Sequence, residues 1–225
     1  MDLPLQYRWT EGWTFITADF VSQCGVILAI FLAIGIAPVF CGEWHDHTKA
    51  LIVTTKSGWK KIAGIKVMAA FLFTLELFGV VTSTSVFLQM VFLGTEGWDM
   101  PIQCIKILAD ALWNVLQAEI YEYVYLLLAA LGYTGIILLC STLTRSNYVS
   151  LLISLGIVFV PMAVSQFLPL WGQKLLDLIP FVGSSTDIFR TNTYRLFGVR
   201  IWSPYLPITV PIILGMISLP FAVRF

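Results

Sequence analysis

Glu76 lies midway along an apolar run, IKVMAAFLFTLELFGVVTSTSVFLQMVFL. An ionisable side chain at membrane depth is costly, and such residues face a bundle interior or a wet cavity. Two roles suit it: a cavity group that meets a cationic substrate or throws a conformational switch, or a neutral carboxyl hydrogen-bonded to a neighbouring helix. Glu119 and Glu122 head another apolar run, interleaved with Tyr121, Tyr123 and Tyr125. Carboxylates and tyrosines at the end of a span read as an interfacial belt. The triplet His45-Asp46-His47 invites a metal reading, but residues two apart on a helix point to opposed sides. No other histidine exists, and Cys24, Cys41, Cys104 and Cys140 show neither a CxxC pair nor metal spacing. The expectation is therefore no metal and no cofactor, with cysteines that pack between helices. A Cys24–Cys104 disulfide near one face is the less favoured alternative.

The elements that must position these residues follow from composition. Hydrophobic residues make up 58% of the 225 and charged residues 12%, about half the charged share of a soluble domain. Thirteen basic and thirteen acidic side chains cancel, so no global charge recruits nucleic acid. The charges sit between apolar runs. The pattern predicts an all-α integral membrane protein forming a single transmembrane domain over residues 1–225. It has five spans, at about 23–41, 62–93, 120–143, 148–170 and 204–223, as judged by the length needed to cross a bilayer.

Residues 1–22 are too polar to span and, with Trp9, Trp13 and Phe15, suit the membrane interface. The run 62–93 is long for one helix and must project or break near Gly64 or Gly79. Thr82 to Ser85 read as small polar residues packing helices. Pro101 is placed to open a helix whose apolar face is Ile102, Ile105, Leu108, Leu112 and Leu116. Pro161 and Pro169 are expected kinks. Segment 171–203 reads as two short interfacial or re-entrant helices on the outer side.

Residues 43–66 hold five of the seven lysines, Lys49, Lys56, Lys60, Lys61 and Lys66, with both histidines. Lysine enrichment beside a span marks the cytoplasmic side, although Lys174, Arg190, Arg195 and Arg200 in the outer segment run against that rule. The loop also carries Trp44, Leu51, Ile52, Val53 and Trp59, which solvent alone would not favour. Trp44 and Leu51, seven apart, share one side of a helix, and an aromatic anchor suits a partner pocket. Glu43 suits the positive start of such a helix. With this loop inside, the N-terminus lies outside, and the expectation is an upstream first helix missing from this chain.

On Phe40, Glu43, Thr48, Leu51, Thr54, Lys56, Gly58, Lys60 and Lys66 the loop resembles the intracellular loop of ABC-2 type permeases, the membrane subunits of ATP-binding cassette exporters. The downstream order, a long helix, a hairpin pair, a large outer segment and a last helix, also looks like that family. The departure is five helices where the family has six. The resemblance implies a dimer of permease copies in a bacterial-type plasma membrane. Each copy would hold a cytosolic ABC ATPase through a short coupling helix within 43–61, with Glu43, Trp44, Thr48, Leu51, Thr54, Lys56, Gly58 and Lys60 as coupling residues. The transported peptide, antibiotic or lipid-like substrate would pass between spans 23–41 and 148–170 of the two copies. The chain has no GxxxxGK[ST] loop, so ATP is expected to be hydrolysed on another chain, and no HExxH or GxSxG supports protease or esterase chemistry. The rival readings are an integral-membrane enzyme acting on lipid or peptide, and a non-transporting immunity or scaffold protein.

Overall fold

The computed structural model describes residues 13, 21–45, 58–94, 96–105, 113–144, 146–165, 167–176, 178–182, 193–196, 199–202 and 205–224. Their helices are α1 (Val21–Ile36), α2 (Pro38–His45), α3 (Gly58–Leu93), α4 (Val115–Leu143), α5 (Asn147–Ser165), α6 (Leu170–Leu176) and α7 (Tyr205–Arg224). A hairpin of β1 (Thr193–Leu196) and β2 (Val199–Trp202) precedes α7. Four segments are long and apolar enough to cross a membrane: Gln23–Gly42, Lys61–Phe92, Val115–Leu143 and Asn147–Ser165. The fifth expected span forms α7, whose apolar stretch Thr209–Ser218 is shorter.

α3 is continuous for 36 residues, about 54 Å at about 1.5 Å per residue, so of the two expected alternatives, projection or a break near Gly64 or Gly79, the break does not occur. One helical glycine costs only about 1 kcal/mol, less than severing a hydrogen-bonded ladder. The helix stops at Leu93 because Gly94 takes φ +85 while its N–H reaches the Met90 carbonyl, a left-handed cap that glycine adopts without strain. Because α3 is much longer than a bilayer core, it separates two ends of the molecule. The lysine end holds the α2–α3 and α4–α5 connections, and the acidic end holds the α3–α4 connection.

α4 is the central post. α1, α3, α5 and α7 all pack on it, and its buried set includes Leu126, Ala130, Tyr133, Ile137 and Leu138. Its contact with α7 is backbone to backbone: a Cβ at Gly132 would run into the Pro211 carbonyl, and one at Gly135 would lie 2.7 Å from Ser218 Oγ. Small residues let membrane helices approach this closely, so that dispersion and polar contacts replace the absent hydrophobic drive. Buried hydroxyls join the helices laterally: Thr74 and Thr134 share a 2.7 Å bond between α3 and α4, and Tyr133 donates to the Ser154 carbonyl on α5 at 2.8 Å. Within the 82–85 run, Thr82 is buried and Ser85 meets Cys24 Sγ at 3.4 Å, whereas Ser83 and Thr84 are exposed.

Several expectations are corrected. Over the described residues Pro101 opens a 3-10 turn, Ile102–Cys104, because its neighbours bond across the loop rather than along a helix; the rest of the expected helix, 106–112, lies outside the described residues. Ile102 N–H reaches Trp113 O and Val115 N–H reaches Met100 O, each at 2.9 Å. α4 consequently starts at Val115 rather than 120, with Gln117 Oε1 accepting from the Asn114 backbone N–H. α5 ends at Ser165, and Pro169 starts α6 instead of kinking a span, accepting from the Gly172 N–H at 2.8 Å. In segment 171–203 the described residues include the end of α6 and the β1–β2 hairpin, with Leu196 opposite Val199, while 183–192, where a second expected helix would fall, lie outside the described residues. The alternation Thr-Tyr-Arg-Leu and Val-Arg-Ile-Trp has period two, which favours strands. All four cysteines are free, so the Cys24–Cys104 bridge is not formed.

Candidate functional site

At the lysine end, Pro38 sets the geometry. Proline cannot donate to the preceding turn, so the helix breaks at Ala37 and resumes as α2. A break at membrane depth leaves backbone groups that need partners from neighbouring helices. α4 supplies them through Ser141. Its Oγ donates to the Ala37 carbonyl at 2.6 Å and accepts from the Phe40 and Cys41 N–H groups at 3.0 and 3.2 Å. From α5, Ser150 Oγ also reaches the Ala37 carbonyl at 3.4 Å, and the Cys41 thiol lies between that carbonyl and Asn147 Oδ1, at 2.9 and 3.0 Å. One carbonyl therefore gathers α1, α2, α4 and α5 at a single point. A cavity of about 430 Å3 opens beside it, between Ala37 and Pro38 on one side and Asn147, Tyr148 and Leu151 on the other.

The connection to α3 is ionic in character. Lys66 Nζ donates to the Val39 carbonyl and sits 5.3 Å from the centre of the Phe40 ring, within cation–π range. Phe40 and Lys66 stand at opposite ends of the lysine-rich segment in sequence, and the fold brings them into contact. The candidate coupling residues hang from this clamp. Glu43 and Trp44 continue α2, while Gly58 and Lys60 open α3. Thr48, Leu51, Thr54 and Lys56, with Asp46, His47 and the expected coupling helix, lie outside the described residues.

Glu76 is exposed. Thr74 and Ala70, buried against the bundle, mark the packed side of α3, and Glu76 projects from the other side with Leu72, Val80 and Phe87. Among the described residues of one copy it therefore stands on the side of α3 turned away from the packed bundle.

The acidic end departs most from expectation. Glu119 and Glu122 are 2% and 1% exposed, so they are interior groups and not a belt at the headgroups. The period of α4 places Val115, Glu119, Glu122 and Leu126 on one face, and that face packs inward. Tyr123 hydrogen-bonds Glu119, Tyr125 is fully enclosed, and the Trp113 and Tyr121 rings lie 5.3 Å apart. Gly97, at φ +97, turns the chain so that the Trp98 carbonyl accepts the Leu116 N–H at 3.2 Å. This closes the loop over the head of α4.

Among the described residues no group of three His, Cys, Asp or Glu side chains lies close enough to hold a metal ion. The sequence reading missed Ser141, Asn147 and Ser150. Their only local signal is a small polar residue near a span end, and the proline they serve lies about a hundred residues away. No family model, curated protein or solved structure matches the chain.

Proposed function

We propose that this chain is the membrane-spanning subunit of an ATP-driven exporter of the ABC-2 kind, crossing a bacterial-type cell membrane five times and working as a dimer with a separate cytosolic ABC ATPase. The observation that carries the reading is the Lys66–Val39–Phe40 clamp. A loop pushed by a motor can move a bundle only if its base is mechanically joined to several helices. Here the base joins α2 to α3 directly, and through Ala37 it joins α1, α4 and α5. Force applied to residues 43–61 is thereby delivered to helices that carry the transport path, instead of dissipating in a slack connector.

The dimer half of the reading is supported by Glu76. A carboxyl near the middle of a spanning helix and turned out of its own bundle would face lipid, an arrangement that membrane proteins avoid. A second copy of the chain, meeting α3 across a wet interface, covers it and turns it into a cavity group. The substrate on this reading is amphipathic: a peptide, an antibiotic or a lipid-like molecule.

The test is co-purification of the full chain with its ABC ATPase, followed by ATPase assay in liposomes. The expected result is stable capture and hydrolysis dependent on the permease, with Leu51→Asp losing both. Capture unchanged by Leu51→Asp would overturn the coupling role, and no capture of an ABC ATPase would favour the enzyme or scaffold readings.

A further inference from the structure

We propose that the cleft at the acidic end is a binding site for an organic cation: an ammonium group attached to an apolar body. The cleft encloses about 850 Å3, within the range of about 300–1,000 Å3 typical of small-molecule sites. Its walls have the composition such a ligand needs. Trp13, only 6% exposed, presents a fixed indole, while Trp98, 53% exposed, stands at the entrance. Met90 and Leu116 supply apolar surface, and Glu96 and Asp99 supply negative charge at the rim. Indole faces attract cations through the ring quadrupole, and they hold a weakly hydrated ammonium better than a small metal ion.

The wider charge pattern points the same way. Among the described residues of 94–122 the titratable carboxyls are Glu96, Asp99, Glu119 and Glu122. Glu119 and Glu122 are buried one and two turns below Leu116, so the exposed Glu96 and Asp99 supply the charge that a ligand in the cleft meets. An anionic ligand is repelled, and a neutral one gains nothing from the carboxylates. A hard divalent ion prefers six or more oxygen ligands, and the described residues offer no cluster of three acidic, His or Cys side chains. The ammonium has two possible sources: a soluble amine or quaternary ammonium compound, or the headgroup of a zwitterionic lipid at the membrane surface. The site chemistry is common to both, and it does not depend on the exporter reading.

The test uses the full chain in nanodiscs of phosphatidylglycerol alone, titrated with choline and with its neutral isostere dimethylbutanol, and followed by tryptophan fluorescence. The expected result is a saturable change with choline and none with the alcohol. Binding should weaken about tenfold or more in a Glu96→Gln/Asp99→Asn double variant, the scale of one lost charged contact. Trp98→Phe, which keeps an aromatic face, should bind nearly as wild type, and Trp98→Leu should not. Adding phosphatidylethanolamine or phosphatidylcholine to the discs separates the sources: competition with choline identifies a lipid headgroup, and undiminished choline binding identifies a soluble cation. Equal responses to choline and the alcohol, or wild-type affinity in the double variant, would overturn the proposal. The variants change exposed loop residues and should remain monodisperse, which size-exclusion chromatography checks independently.

Discussion

The two ends of this molecule place charge in opposite ways. At the lysine end the described interior is knotted with neutral groups, Ser141, Ser150, Asn147 and the Cys41 thiol around one freed carbonyl, and Lys66 reaches in from α3 to the Val39 carbonyl. At the acidic end carboxyl groups enter the protein, with Glu119 and Glu122 enclosed on α4. Neutral hydroxyls can satisfy a broken helix at little desolvation cost, so the knot is suited to being a stiff mechanical joint. Carboxyl groups enclosed on a helix are costly to ionise, so the two ends satisfy their buried polar groups at different cost.

The sharpest way to break this comparison is topological. Cys104 is exposed, whereas Cys24, Cys41 and Cys140 are buried. A membrane-impermeant maleimide should label Cys104 in intact cells and fail to label a cysteine introduced at Lys56 in a Cys104→Ser background until the cells are opened. Labelling of both from outside would place the two ends on one side and dissolve the contrast. Cys41 itself is unsuitable as a reporter because it is enclosed.

Next in size is the α4–α7 seam that holds the two ends in one body. Gly132→Leu forces a side chain into the Pro211 backbone, and overpacking costs about 1–3 kcal/mol or more. Thermal aggregation measured by size exclusion should fall by many degrees, whereas Gly156→Leu on α5, where a Cβ meets nothing within 4 Å, should be nearly silent.

The lysine-end knot should respond to a neutral change. Ser141→Val leaves the Phe40 and Cys41 N–H groups without their acceptor, a loss of about 1–3 kcal/mol, and Ser141→Thr should restore most of it. At the acidic end the isosteric Glu122→Gln should be tolerated or mildly stabilising, since it removes a buried charge and keeps the shape. A large loss of stability in Glu122→Gln would show that the carboxylate is a structural tie, making the two ends alike. The smallest effect is expected from Lys66→Met, which keeps the stem over Phe40 and loses the bond to the Val39 carbonyl. A stability loss of about 0.5–1.5 kcal/mol is expected, with any larger effect confined to ATPase coupling.

Much of this was legible in the residues alone. Apolar runs of membrane length announced the long helices, because no other structure hides its backbone polar groups in lipid. The expected span ends at 93 and 143 match the helix ends Leu93 and Leu143, because polar residues and glycine interrupt the apolar runs there. The lysine-rich segment and the oddity of Glu76 were equally visible. Hidden from that reading were the facts that depend on rotation and depth. Whether a glutamate on a helix faces in or out is a matter of which neighbours pack where. Glu119 and Glu122, read as a belt, turned inward because α4 is surrounded, whereas Glu76, read as a cavity or switch group or a bonded carboxyl, lies in a single copy on the outer side of α3.

The chain's own order of residues thus determined four helices long and apolar enough to cross a membrane, since the free energy of hydrocarbon solvation is summed over a run and needs no tertiary partner. Only the folded bundle decided where its polar groups went. Those groups are satisfied by atoms distant in sequence, Ala37 by Ser141 and Val39 by Lys66, and a hydrogen bond has to be met in space.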